Sequence, residues 1–245
     1  MAICGARLIW DGAIVFAGTG LPVLSSVLAQ NTKASNAKII YEGGNIDTKN
    51  KDLPRSVSDP RLMLNCAAAL DIRAALGEIL QGGYVDIGFI GGAQIDRYGN
   101  VNSTVIGNYR HPKIRLPGSG GANDIASLAK NTFIISLHEK RKFVKCDYIT
   151  SPGHLKGGKT RAKSGLRGNG PKYIITDLCI FDFEPRTKKA RIKSLHPGVT
   201  KRMVLRAMRW RPIVPWKIPV TKAPTKQELQ LLREKVDPKG VYLKE

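Results

Sequence analysis

Short apolar runs closed by glycine-rich turns set the rhythm of this chain. Residues 13–17 (AIVFA) form a continuous apolar run of strand length that ends in Gly18-Thr19-Gly20-Leu21-Pro22, a strand-to-helix turn. Residues 23–30 follow as a helix and residues 37–41 (AKIIY) as a second strand, closed by Glu42-Gly43-Gly44. Residues 85–90, 132–137 and 173–176 read as further buried strands, and 178–183 with 190–195 as a late hairpin turning at 184–189. The end of a short helix is expected over 3–10, helix with irregular joints over 60–80, and helices over 122–129 and 226–234. Residues 207–224, with several prolines, read as extended. Strand, turn, helix, strand predicts the α/β class: an open, mainly parallel sheet flanked by helices. In such sheets ligands bind beyond the carboxyl ends of the strands, which is where Glu42 sits.

The glycine-rich breaks are candidate chemistry. Glu42 is followed by two residues without side-chain bulk, which suits a nucleophile that a substrate must reach; a solvated loop carboxylate is the alternative. In residues 91–103, Gly91, Gly92 and the Gln94 amide suggest donors beside a reacting carbonyl, or else a pair of tight turns at Gly91-Gly92 and Tyr98-Gly99-Asn100. In residues 116–124, Gly118-Ser119-Gly120-Gly121 leads into a helix, as anion-binding loops do, but lacks the lysine and spacing of a Walker A motif.

Composition narrows the classes. The 245 residues suffice for one domain with a sizeable core, and no apolar run approaches membrane-helix length. The N-terminus shows no basic-then-apolar signal, so a cytoplasmic protein is expected. Cys4, Cys66, Cys146 and Cys179 lack CxxC spacing and read as small buried hydrophobes, not as a zinc cluster or disulfide set. His111, His154 and His196 adjoin Pro or Gly and read as loop residues, and His138 with Glu139-Lys140-Arg141-Lys142 as a solvated strand end. No metal is expected.

The net charge is +21, and from Glu184 to Lys217 only Glu184 is acidic. Charge alone fits a host bias, an acidic partner subunit, nucleic acid or a phosphate-rich ligand. The basic region lacks zinc-finger spacing and the aromatic pattern of RNA-binding modules, so a nucleic-acid-binding protein is the weaker alternative. The basic Gly-rich stretch about residues 156–170 is expected to be a mobile excursion within a single domain of residues 1–245. A basic C-terminal extension runs over about 184–245.

Taken in order, VFAGTGLP (15–22), IIYEGG (39–44), LPRSVSDPR (53–61), GFIGGAQIDRYGNVNST (88–104), HPKIRLPGSGGANDIAS (111–127), HEKRKF with DYITSPG (138–153) and the tail VDPKGVYL resemble the β subunit of family I coenzyme A transferases, that of glutaconate CoA-transferase above all. The resemblance implies an open α/β fold, an α subunit of the same fold as partner, acyl-CoA and a carboxylic acid as substrates, and coenzyme A as a substrate with no tightly bound cofactor. It implies that Glu42 is the catalytic nucleophile, that Gln94 supports the oxyanion, and that Gly43, Gly44, Gly91, Gly92, Asn100, Asn102, Gly118, Ser119, Gly120, Gly121 and Asn123 contact CoA or substrate. The acids implied are of the glutaconate or 3-oxo acid class. Two departures stand out: Tyr41-Glu42-Gly43-Gly44 replaces the usual Ser-Glu-Asn-Gly or Glu-Ser-Gly, and neither the basic region after Glu184 nor residues 156–170 are typical. A related branch hydrolyses ring-containing CoA thioesters with a glutamate of its α subunit; the presence of Glu42 favours transfer over hydrolysis.

Overall fold

The computed structural model describes residues 1–49 and 52–243. The chain divides into two compact units, residues 1–89 with 224–245, and residues 90–223.

The first unit contains helix α1 (Ala2–Leu8), strand β1 (Ile14–Phe16), helix α2 (Leu21–Gln30), strands β2 (Lys38–Ile40), β3 (Asn45–Ile46) and β4 (Ala68–Ala69), and strand β5 (Ile87–Ile90) up to residue 89. Strand β1 pairs in parallel with both β2 and β5, with Val15 opposite Ile39 and Ile87. Val15, Phe16 and Ile87 are fully buried. A parallel strand covered on both faces has no polar side, so these runs are apolar without alternation. The Asp86 carboxylate accepts the Ile14 N–H at 2.9 Å and closes the entry to β1. In α2, buried Ser25 and Ser26 return their hydroxyl protons to the carbonyls of Leu21 and Pro22, each at 2.8 Å, so neither is left unsatisfied.

Strands β3 and β4 continue the sheet antiparallel, Ile40 opposite Ile46 and Ile46 opposite Ala68. The helix expected over residues 60–80 is therefore broken. A 3-10 turn covers Pro60–Met63, β4 follows, and a π-helix covers Ala74–Leu80. Asn65 takes φ 54 between them, which stops the first turn from propagating. The helix expected at the C-terminus forms as Lys226–Gln230, continued by a π-helix over Leu231–Val236. Thr225 and Glu228 make its capping box, and Glu228 also accepts the Arg7 guanidinium at 2.7 and 2.5 Å.

The second unit opens with two hairpins, β6 (Gln94–Ile95) with β7 (Val101–Asn102), and β8 (Val105–Gly107) with β9 (Pro112–Arg115). Helix α3 (Ala122–Leu128) precedes β10 (Asn131–Ile135), which pairs in parallel with β11 (Pro171–Ile175); β12 (Cys179–Phe183) and β13 (Ala190–Leu195) add antiparallel. The α/β class holds, with a mixed sheet. Residues 207–224 are extended as expected and run beside β13, with parallel bridges from Ile213 to Arg191 and from Val220 to Leu195.

The core of this unit is aromatic. Phe143 lies 6.0 Å from Trp210 and 6.1 Å from Phe181, and the Trp210 indole donates to the Ile95 carbonyl at 2.9 Å. His138 belongs to the same cluster, which corrects the solvated strand end expected for it. Its ring stacks on Phe143 at 4.3 Å and 5°, only 5% of the residue is exposed, and desolvation lowers its pKa to about 4. His154, expected in a loop, is buried as well and meets the Pro171 carbonyl through Nε2 at 3.0 Å. Of the cysteines, Cys179 is buried and the other three are partly exposed.

The basic Gly-rich stretch contains a buried anchor. Arg161, in the short helix Thr160–Lys163, donates to the carbonyls of Ala126 (2.8 Å), Ser127 (3.2 Å), Pro152 (3.0 Å), Gly153 (3.0 Å) and Arg167 (2.6 Å). With carbonyl dipoles around it, desolvation lowers its pKa to about 10.

Candidate active site

Glu42 stands in the tight turn that joins β2 to β3. The Tyr41 N–H donates to the Asn45 carbonyl at 3.0 Å and the Gly44 N–H to the Tyr41 carbonyl at 2.9 Å, so Glu42 and Gly43 form the turn's corner. Tyr41 below it is buried, and Glu42 itself is half-buried. The two glycines are demanded by their surroundings. A Cβ on Gly43 would lie 2.7 Å from the Val57 carbonyl oxygen, and one on Gly44, whose φ is 97°, would lie 2.2 Å from that of Leu70. The turn is thus wedged between residues 57–58 and 70–71. A cavity of about 230 Å³ lies beside it, bounded by Gly43, Asn45, Ser58, Asp59, Met63 and Leu70 among others. Its Asp59 side is fixed: Arg61 donates to both carboxylate oxygens and holds Asp59 well below the usual carboxylate range.

The remaining candidates lie in the second unit, where Gln94, Asn102 and Asn123 belong to one hydrogen-bond network. Gln94 Nε2 donates to Asp147 at 2.9 Å, and its Oε1 accepts from Asn102 Nδ2 at 2.7 Å and from the Asp147 N–H at 2.9 Å. Asp147 also accepts the Gly107 N–H at 2.9 Å, and this bond, then the one from Gln94, lowers its pKa. Asn102 Oδ1 accepts the Thr104 N–H at 2.9 Å, and its Nδ2 reaches the Val105 carbonyl at 2.6 Å. Thr150 Oγ1 accepts the Ser103 N–H at 2.9 Å, and Asn123 Nδ2 donates to the Thr150 carbonyl at 2.6 Å.

These bonds give the amides structural work. One of the two Gln94 amide hydrogens is committed to Asp147, and the whole residue is 5% exposed. Asn100 is fully buried: Nδ2 donates to Asp96 and to the Leu155 carbonyl, both at 2.8 Å, while Oδ1 accepts from Gly153 at 2.8 Å and Leu155 at 3.0 Å. Gly92 packs against β7, where a Cβ would meet the Val101 side chain at 2.2 Å, and Gly91 lies near the Ile135 carbonyl. In the loop of residues 118–121, the Gly118 N–H donates to the Ser103 carbonyl at 2.8 Å and Ser119 Oγ accepts the Asn123 N–H at 3.1 Å. Gly118 and Gly120 take φ 100 and 49. Asp147 and Thr150 were not singled out from sequence, although both lie in the DYITSPG run. No group of His, Cys, Asp and Glu suited to a metal occurs among the described residues. No helix there is long and apolar enough to cross a membrane.

The glutamate thus stands at the corner of a strand-end turn on an α/β sheet. A family model described as Coenzyme A transferase matches residues 1–207, and the chain belongs to that family, among its β subunits. It is 44% identical over 238 residues to the β subunit of the 3-oxoadipate CoA-transferase of Pseudomonas knackmussii, covering 95% of this chain and 90% of the relative. It is 39% identical over 248 residues to the β subunit of the glutaconate CoA-transferase of Acidaminococcus fermentans, covering 99% and 92%. The crystal structure of glutaconate coenzyme A-transferase from that organism matches with a TM-score of 0.92 at 38% identity, covering 99% of this chain and 95% of that one.

Proposed function

We propose that this chain is the subunit of a two-subunit CoA-transferase that carries the nucleophile, Glu42, and that it works with an α subunit on an acyl-CoA and a carboxylic acid of the glutaconate or 3-oxo acid class. The observation that supports this most is the placement of Glu42 at the corner of a turn whose following glycines are both wedged against backbone, beside a cavity of about 230 Å³. The acid class rests on the names of the relatives.

The reaction balances as two exchanges at one carboxylate. The Glu42 carboxylate attacks the acyl-CoA carbonyl, the C–S bond breaks, and an acyl–glutamyl anhydride and CoA thiolate form. The thiolate attacks the glutamyl carbonyl, releasing the first acid and leaving a glutamyl–CoA thioester. The second acid repeats the steps in reverse and departs as the new acyl-CoA, restoring Glu42. Covalent catalysis divides one difficult exchange into easier steps, and N–H donors stabilise each tetrahedral oxyanion. In this reading the loop carrying Gly118, Ser119, Gly120, Gly121 and Asn123, with Gly91 and Gly92, supplies substrate contacts. Gln94, Asn100 and Asn102 act as positioning residues for that backbone.

The test is to co-express the chain with its α subunit, incubate with acetyl-CoA or succinyl-CoA, trap with borohydride or hydroxylamine, and map the modified peptide. Modification at Glu42 is expected. An unmodified Glu42 in a complex that still releases CoA without any acceptor acid would move the chemistry to hydrolysis.

A further inference from the structure

The run VDPKGVYL, residues 236–243, is assigned no part in the chemistry at Glu42, yet it folds onto the stretch that walls the Glu42 turn. The run is closed on itself. The buried Asp237 carboxylate accepts the N–H groups of Val241 at 2.6 Å, Tyr242 at 2.9 Å and Leu243 at 3.0 Å. The Gly240 N–H donates to the Asp237 carbonyl at 3.0 Å. A turn tied by these four bonds holds its side chains in place. From it the Tyr242 hydroxyl donates to the Pro54 carbonyl. Lys239 pairs with Asp52 at 2.8 Å, but the two side chains are 67% and 40% exposed, and water screens the pair. Tyr242 is therefore the firm end of the contact.

The gripped stretch, residues 53–62, is braced internally. Arg61 donates to the Asp59 carboxylate and, at 3.3 Å, to the Leu53 carbonyl, while Asp59 accepts the Arg55 N–H at 2.9 Å. Its hold on the rest of the unit is thin. Leu53, Pro54 and Leu62 are buried, whereas Arg55, Ser56, Ser58 and Pro60 are exposed. A cavity of about 480 Å³, bounded by Val27, Tyr41, Leu53, Pro54 and Leu62 among others, lies against it. A loop with few apolar contacts and a void beside it opens easily. Yet this loop bears directly on the Glu42 turn. The Gly43 N–H donates to the Val57 carbonyl at 3.3 Å, and Ser58, Asp59 and Pro60 wall the cavity of about 230 Å³.

We propose that Tyr242 is a positioning residue for Glu42. Its hydroxyl, bound to the Pro54 carbonyl, holds residues 53–62 in place; the Val57 carbonyl then holds the Gly43 N–H, and with it the neighbouring carboxylate. All of these groups lie in the first unit. The inference rests on the proposed function, in which the Glu42 carboxylate attacks. A misplacement of about 1 Å at an attacking group costs up to about a hundredfold in rate, so loss of one remote anchor is expected to cost about tenfold.

The experiment compares the wild type with Tyr242→Phe, each in complex with the α subunit. After mixing with succinyl-CoA and no acceptor acid, samples are trapped with borohydride over time. Mass spectrometry follows the fraction of chains modified at residue 42, and hydrogen exchange is measured for the peptide of residues 40–46. Expected in Tyr242→Phe are a rate constant of modification lower by about tenfold, an unchanged final fraction, and faster exchange in that peptide. A merely structural role would give a smaller final fraction at an unchanged rate constant. That result overturns the proposal, as does wild-type behaviour in all three readouts. If the wild-type complex is not modified at Glu42, the proposed function has failed on its own account. Exchange then decides the grip by itself, and an unchanged peptide overturns it.

Discussion

Gly44 and Leu70 approach so closely that no side chain fits between them: a Cβ on Gly44 would lie 2.2 Å from the Leu70 carbonyl oxygen and 2.9 Å from that of Asp71. The contact joins the turn bearing Glu42 to the end of β4, and the Leu70 N–H returns a bond to the Gly44 carbonyl at 3.1 Å. Gly44 also holds φ 97°, which an L-residue adopts only at a cost. Gly44→Ala is therefore expected to destabilise the protein by about 2 kcal/mol or more and to lower activity further by moving Glu42. Urea unfolding together with steady-state kinetics of the complex checks this. A variant that matches the wild type in both would show that the turn relaxes freely.

Gln94 gives a different expectation, because its bonds run to a carboxylate and to a buried amide. Gln94→Leu leaves Asn102 Nδ2 and the Asp147 N–H without the oxygen they share, and removes the N–H that Asp147 accepts. Unsatisfied buried groups of this kind cost about 1–3 kcal/mol each. The expected result is a lower unfolding midpoint with a larger fall in kcat than in substrate affinity, since the network holds backbone. A direct oxyanion donor would instead lower kcat with the midpoint unchanged.

Much of the fold was legible in the sequence, and the reasons are specific. Residues 13–17 announce a strand because a parallel strand buried on both faces admits only apolar residues, and residues 39–41 continue the pattern after an exposed Lys38; a glycine follows closely in both cases. The hairpin of β8 and β9 was missed because only Val105 of its strands is buried, while Ile114 and the loop residue Tyr109 are exposed among cations. Strand β4 is two alanines long and exists through its ladder with β3, a relation absent from local propensity. At the candidate site, the turn carrying Glu42 was legible as a strand end followed by two glycines, whereas the role proposed for Glu42 comes from the family resemblance. Asp147 could not, because the Gln94 and Gly107 groups that define it are distant in sequence. His138 looked solvated because the run of charged residues after it hides two facts: the chain turns back to stack Phe143 on its ring, and Phe181 arrives from a distant strand.

The buried histidines predict the acid limb of stability. His138 and His154 are each lowered to about 4, chiefly by desolvation; Asp177 opposes this at His138, whereas Lys188 and Arg161 add to it at His154. Between the ordinary histidine value near 6.5 and about 4, the unfolded chain binds protons that the folded chain does not, so stability rises with pH across that window. The contribution is complete above about pH 6.5 and is lost as pH falls toward 4, the loss amounting to about 2 kcal/mol per histidine at pH 5. Urea midpoints at pH 7 and pH 5 measure it, and His138→Phe is expected to shrink the difference. An equal difference in wild type and variant would place His138 in contact with water in solution.

Glu42→Gln tests the nucleophile with the least change in shape. The amide keeps the length of the side chain but carries no negative charge, so it cannot open an acyl-CoA by attack. Because every turnover in the proposed route passes through this carboxylate, kcat is expected to fall by about a thousandfold or more, with kcat/KM falling in parallel. Glu42→Asp retains the charge but withdraws it by one methylene, and is expected to lie between the two because the attack geometry is lost and the chemistry is not. Trapping must agree with the kinetics: hydroxylamine should label the wild-type chain at residue 42 after incubation with acyl-CoA and leave the Gln variant unlabelled at that position. A Gln variant that still transfers CoA at the wild-type rate would remove Glu42 from the mechanism, however well the turn of residues 41–44 presents it.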